Sequence, residues 1–320
     1  MVLGPERFRG VFSILPSPAT QDAYSPLVKD TVNRDALRTL VNNLIEAGVH
    51  GIITTGSMGE AHTLLWEEHK VLIDTVVDAV NGRVPVIIGT WAPNTRESIM
   101  KTRYARDAGA DGVMNGPPHY IEPTVENTIQ YYRDLADACP EMAIMIYHNP
   151  SVFRITIPVE RYEEIMKIPN VVAVKETLYD LPRMMLEAWL CKGRISFMCH
   201  SSLLYPCMMF GFTGAWDPTW VNCGPEPVLK LYKACEERDW EKAKKISEDF
   251  IKLDLVQRKA LGNYSFSQYQ VNWEHLLLNA AGYVQTGPAR RPFAHVPEAV
   301  RKAAETVAEE YKKIRSKYKE

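Results

Sequence analysis

In the stretch NVVAVKETL, four apolar residues run straight into Lys175, at the close of what reads as a buried strand. An amine in that position is partly desolvated, which lowers its pKa and frees its lone pair for attack on a carbonyl. Taken alone, Lys175 is as well explained by a snorkelling side chain or by pairing with a buried carboxylate. Upstream, AIMIYHNP ends a second apolar run on Tyr147, which taken alone is most simply a packed strand-end ring. A third stretch, TTGSMGEAHTL, sets Gly56 and Gly59 around Ser57 and Met58. Glycines let the backbone turn tightly there, so that successive N–H groups converge on a small anion such as a carboxylate. By itself the same turn is an ordinary strand-to-helix junction with Glu60 as an acidic helix start. All three at one rim outweigh the separate bland readings.

Such groups need a scaffold that delivers each of them to that rim. Short β-branched runs alternate along the chain with longer stretches of helical period. Strands are expected at 10–15, 51–55, 84–90, 112–115, 143–147, 171–175, 195–199 and 213–216. Between them Ala36, Leu37, Leu40, Val41, Leu44 and Ile45 trace one helical face that stops at Gly48. Asn94 or Thr95 is placed to cap a helix over TRESIMKTRYARDAGA, and PVERYEEIM opens on a proline suited to a first helical turn. Strands that are nearly continuous in apolar character, each followed by a helix, predict a parallel sheet covered on both faces. The fold expected is therefore α/β, a closed (β/α)₈ TIM barrel over residues 1–224, with the final barrel helix and appended C-terminal helices over 225–320. A doubly wound open sheet is the alternative, but the Gly-rich turn it would need for a dinucleotide is missing after the first strand. A barrel gathers its site at the carboxyl ends of its strands, and adjacent strands five and six would turn Tyr147 and Lys175 into one cavity.

The 320 residues are 46 % apolar and 24 % charged, the balance of a globular protein with a sizeable core. Lysine and arginine number 37 against 39 acids, a net charge of −2, so no strong field favours nucleic acid or an anionic membrane. Basic residues crowd EEYKKIRSKYKE at the end, but acids interleave with them, as on a solvated helical face. The cysteines (Cys139, Cys191, Cys199, Cys207, Cys223, Cys235) form no CxxC pair, which points away from a zinc ribbon or disulfide framework and towards a reducing cytoplasm. No run approaches the ~18 apolar residues of a membrane span, and MVLGPERFRG has no apolar leader. His62 and His69 stand seven apart with no third ligand near in sequence, so no metal is expected. His119 and His148 flank the tyrosines as mouth-lining or loop residues, and Arg290 and Arg291 read as anchors of the tail.

GSMGE, IYHNP and VVAVKET, in that order and spacing, resemble the dihydrodipicolinate synthase / N-acetylneuraminate lyase family of lysine-dependent pyruvate aldolases. The resemblance runs from GVFSILPSP through VPVIIGTWAPNTRESI to the terminal helices. It implies that Lys175 forms a Schiff base with C2 of pyruvate and that Tyr147 shuttles protons. It also implies that the backbone of Ser57 and Met58, between Gly56 and Gly59, holds the pyruvate carboxylate, and that the Ser57 hydroxyl links Tyr147 into a relay. Tyr120, in PPHYIEP, falls where family members carry a tyrosine that reaches a neighbouring subunit, which implies a homotetramer. No cofactor is implied beyond the covalent Schiff base on Lys175.

Departures from the family pattern narrow the acceptor. Dihydrodipicolinate synthases usually carry two threonines in the turn, whereas the second is Met58 here, and an arginine five residues after the tyrosine, where this chain has Val152 followed by Phe153. Phe153, Trp216 and Trp220 add aromatic wall, which suits a flat aromatic acceptor better than a sugar. ILPSPAT, LLWEEHK, FMCHSS and NAAGYVQTGPARRPFAHVPE are similar to the hydratase-aldolase branch that acts on o-hydroxybenzylidenepyruvate and 2'-carboxybenzalpyruvate. That similarity implies cleavage of an arylidene pyruvate to an aromatic aldehyde and pyruvate, with His200, Trp220 and Asn279 facing the distal substrate or the added water. Each of those three also has a plain structural reading, as a satisfied strand-end histidine, a packing residue and a helix-end cap. A sugar-acid aldolase or a dihydrodipicolinate synthase is the alternative within the family, and a catalytically silent keto-acid-binding barrel the alternative outside it.

Overall fold

The apolar runs form strands because each is covered on both faces. In the computed structural model, which describes residues 2–319, these are β1 (Gly10–Ile14), β2 (Gly51–Thr54), β3 (Val86–Gly89), β4 (Gly112–Asn115), β5 (Ala143–His148), β6 (Val171–Glu176), β7 (Ser196–His200) and β8 (Gly214–Asp217). They close into a barrel in chain order, β1 to β8. Every residue of β2, β3, β4, β5 and β6 is buried, which is why these strands read as continuous apolar runs and not as alternating ones. The helices are α1 (Arg34–Glu46), α2 (Trp66–Val80), α3 (Thr95–Asp107), α4 (Val125–Ala138), α5 (Pro150–Phe153), α6 (Tyr162–Ile165), α7 (Leu181–Leu190), α8 (Leu204–Met209), α9 (Glu226–Glu236), α10 (Trp240–Leu261), α11 (Phe266–Ala281) and α12 (Glu298–Lys317). None of them is long and apolar enough to cross a membrane.

The chain divides into two compact units, one made of the segment up to Phe12 with Pro85–Trp216, the other of Ser13–Val84 with everything from Asp217 onward. In the first unit β3 to β8 pair in parallel, and the β5–β6 register sets Tyr147 opposite Lys175 and His148 opposite Glu176. Where β8 meets β1, a Cβ on Gly214 would stand 2.0 Å from the Gly10 carbonyl, so only glycine allows that approach. Asn94 caps α3 by accepting from the Glu97 N–H, and Asp180 caps α7 by accepting from the Arg183 N–H.

In the second unit α1 buries Leu37, Leu40, Val41 and Leu44, the face expected from its period. Helix α12 buries Val300, Ala303, Ala304, Val307, Ala308, Tyr311 and Ile314 at spacings of three and four, while Lys312 and Lys313 pair with Glu309 and Glu310 on the exposed side. Its Arg315 grips Glu226, at the start of α9, through two 2.7 Å bonds.

Candidate active site

Lys175 stands at the end of β6 with 3 % of its surface exposed. Its Nζ lies 3.6 Å from the ring centre of Trp216 and 4.0 Å from that of Tyr147. Burial drives its pKa well below the ordinary lysine value, and the nearby Glu176 charge opposes this only in part. That direction favours the neutral amine, which is the form that attacks a carbonyl. Tyr147 comes from the adjacent strand, its hydroxyl accepts from the Asn149 amide at 3.2 Å, and its ring meets Phe153 edge-on at 5.1 Å.

Strand alternation turns the next residues the other way. His148 and Glu176 leave the lysine side and enter the helical layer, where Glu187 of α7 joins them. The Ile157 N–H donates to His148 Nε2 (3.1 Å), so the ring hydrogen sits on Nδ1 and donates to Glu176 Oε2 at 2.6 Å. Leu178 N–H donates to Glu176 Oε1 at 2.7 Å. Burial pushes the Glu176 pKa up, but the hydrogen bonds it accepts from His148 and the Leu178 N–H outweigh it, leaving it below the usual carboxylate value. Glu187 goes the opposite way, pushed up to about 9 by burial and by the Glu176 charge.

The sequence-expected aromatic residues take distinct places. Trp216 donates its indole N–H to the Glu176 and Met198 carbonyls (3.0 and 3.1 Å), so its ring face is left for Lys175. His200 meets Trp216 edge-on at 5.0 Å, and its Nδ1 accepts from the Ser202 N–H. Phe153 is fully buried, behind Tyr147 and against Trp91 and His119. Gly116 makes room for it, since a Cβ there would stand 2.4 Å from the phenyl ring. Tyr120 is 85 % exposed, and its carbonyl accepts from Arg154.

In the second unit the Gly-Ser-Met-Gly turn follows β2. The positive φ angles fall on Thr55 (54°) and Glu60 (52°), which flank the turn, and neither is glycine. Ser17 Oγ donates to the Gly59 carbonyl at 2.6 Å, and the Gln270 amide lies 2.9 Å from Met58 Sδ. No helix begins at Glu60; it is fully buried and holds Arg290. Arg290 Nη1 and N–H reach the two Glu60 oxygens at 2.6 and 3.0 Å, and His275 Nε2 lies 2.9 Å away. Burial acts to raise the Glu60 pKa, yet His275 and Arg290 together hold it below the ordinary value. The remaining Arg290 donors go to Thr31 Oγ1 (2.7 Å) and to the Ser17 (2.8 Å) and Thr31 (3.0 Å) carbonyls.

Trp220 stacks on Tyr311 of α12 at 5.1 Å, and its backbone N–H donates to the Asp217 carboxylate. The Asn279 amide is spent on the tail, accepting from the Thr286 N–H at 2.7 Å and donating to the Gly287 carbonyl at 3.1 Å. His69 Nε2 lies 2.9 Å from the Ala61 carbonyl, and His62 meets Phe293 edge-on.

Residues 8–311 match the dihydrodipicolinate synthetase family. The trans-O-hydroxybenzylidenepyruvate hydratase-aldolase of Pseudomonas putida is 36 % identical, covering 99 % of this chain and 96 % of that one. The trans-2'-carboxybenzalpyruvate hydratase-aldolase of Nocardioides sp. (strain KP7) is 30 % identical, covering 97 % and 94 %. Among solved structures, PhdJ bound to substrate intermediate superposes with a TM-score of 0.92 at 30 % identity over 99 % of each chain.

Proposed function

This chain belongs to the dihydrodipicolinate synthetase family and is a lyase of the class I aldolase type; from that premise we propose that it is a hydratase-aldolase cleaving arylidene pyruvates, with water, to an aromatic aldehyde and pyruvate. The observation that carries this reading is the buried Lys175 amine held between the rings of Tyr147 and Trp216. Two hydratase-aldolase relatives that match over nearly their whole lengths support the aromatic acceptor. So do Val152 at the spacing where the synthases carry an arginine and the paired rings of Trp216 and His200.

Lys175 Nζ adds to C2 of the keto acid, and loss of water gives an iminium conjugated to the alkene. Water adds to the ring-side alkene carbon, leaving an enamine that takes a proton at C3 and regenerates the iminium. Tyr147 then removes the new hydroxyl's proton. The C3–C4 bond breaks, its electron pair flows to the iminium nitrogen, and the aldehyde departs. The resulting enamine is protonated and hydrolysed to pyruvate and free Lys175. The protein supplies an electron sink for the departing carbon pair. Ser57 and Met58 backbone N–H groups take the carboxylate, and the Ser57 hydroxyl and Tyr120 complete the relay of Tyr147. His200 and the Trp216 face adjoin the ring of the acceptor. The exposure of Tyr120 (85 %) and Ile121 (75 %) supports association between copies of the chain, and the homotetramer we propose would appear in light scattering as four times 36.3 kDa.

Incubation with pyruvate and borohydride, followed by peptide mass spectrometry, tests the covalent step. A reduced pyruvyl adduct on Lys175 is expected, together with cleavage of benzylidenepyruvates to pyruvate and a benzaldehyde, and no pyruvate release from sugar acids. An adduct on another lysine, or none, overturns the reading.

A further inference from the structure

Glu187 belongs to none of the motifs, yet it lies fully buried against the strand that carries Lys175. One ligand atom each from Glu187, His148 and Glu176 lies within 4.8 Å of the others. Glu176 already accepts from His148 and from the Leu178 N–H, as an ionised carboxylate does. Neither oxygen of Glu187 accepts a hydrogen bond, although Arg183 Nη2 stands 2.8 Å from Oε1. Two carboxylates crowded into such a space, with a single guanidinium that reaches only Glu187, favour losing one of the two charges. A neutral Glu187 has a hydrogen to give, and the neighbouring acceptor is the Glu176 carboxylate, a ligand atom of which lies within 4.8 Å.

A divalent ion is the other occupant that one histidine and two glutamates suggest. Arg183 beside Glu187 repels it, and both His148 nitrogens are committed, one to the Ile157 N–H and one to Glu176. The remaining titratable groups facing the cluster are Tyr162 of α6 and Cys191 after α7, beyond which lies Arg194. Burial holds both the phenol and the thiol neutral at working pH.

We infer that Glu187 is a positioning residue of the reaction: as a neutral acid it donates its O–H to Glu176, and so keeps a single negative charge behind Lys175. The inference rests on the reading of Lys175 as the Schiff-base lysine. Glu176 is the next residue in the chain, its side chain on the other face of β6, and its charge favours the cation on Lys175. A neutral amine becomes a fixed cation when the iminium forms, and one matched charge behind the strand stabilises that change without protonating the resting amine.

The test compares wild type, Glu187→Gln and Glu187→Leu. Infrared difference spectra should show a protonated-carboxyl C=O band in wild type at neutral pH that is missing from Glu187→Gln. The pH midpoint of borohydride-trapped pyruvyl adduct should stay in place in Glu187→Gln, whose amide N–H replaces the acid O–H. In Glu187→Leu, Glu176 loses its donor and takes up a proton more readily, so the acidic limb should move up by about one pH unit. The inference is overturned if the band is absent or if Glu187→Gln moves the midpoint as the loss of a charge would. It is also overturned if both variants only lower Tm, or if wild type holds a stoichiometric divalent metal that Glu187→Gln loses. Absence of any Lys175 adduct in wild type would overturn the proposed function and the positioning role together, while the infrared band would still decide the acid pair.

Discussion

Glu60 and Glu176 are both buried carboxylates beside a motif, and their surroundings contrast. Around Glu60 the cation is matched: Arg290 spans both carboxylate oxygens and spends its other donors on Ser17 and Thr31. Around Glu176 there is one acid too many, because Glu187 shares the space with a single guanidinium. A matched buried pair is rigid and costly to break, whereas a surplus acid stores a proton whose position can respond to charge. The turn region is thereby built to hold a shape, and the lysine region to set a potential.

The largest effect should come from Lys175→Ala, with turnover at background, no pyruvyl adduct, and a cooperative unfolding transition that shows the Glu60 network intact. Tyr147→Phe should follow, lowering kcat by about 10²–10⁴-fold in steady-state assays while the adduct on Lys175 still forms. On the turn side, Arg290→Met leaves Glu60 buried without its cation and should cost about 3–5 kcal/mol in urea unfolding at neutral pH. A loss below about 1 kcal/mol, the range of exposed pairs, would erase the contrast drawn above.

Glu187→Gln should have the smallest effect and the opposite sign. The folded pKa of Glu187 is raised from 4.5 to about 9, so the fold retains a proton that the unfolded chain releases. Its stabilising contribution is complete below pH 4.5 and is lost as pH rises towards 9. The Gln variant has no such proton to lose. Its Tm relative to wild type should therefore climb between pH 5 and pH 9, as scanning calorimetry in matched buffers would show.

Lys175 and Tyr147 were legible because a polar group that ends a wholly apolar run contradicts its surroundings, and the register confirms that they are neighbours. His148 was legible as a residue but not as a place. Read as mouth-lining or loop, it is 2 % exposed on the helical side of β5, and the alternation after Tyr147 was the signal that would have put it there. Glu60 read as an acidic helix start, but the helix begins only at Trp66, and the partner that buries Glu60 lies 230 residues away. Arg290, read as an anchor of the tail, is that partner. Glu187 had no local signal at all. In LPRMMLEAWL it looks like any helical acid, and only the packing of α7 against the sheet takes it out of water.

Trp216 ties its indole N–H to the main chain of both β6 and β7 while its ring covers the Lys175 amine. The cover is thus fastened to the strand that bears the lysine, and the two cannot separate while those strand ends remain paired. Amine-directed labels too large to follow pyruvate should therefore modify Lys175 only during local opening, at a rate that tracks amide hydrogen exchange at the ends of β6 and β7. In the native protein, Lys175 labelling becomes a clock for strand-end breathing, independent of turnover.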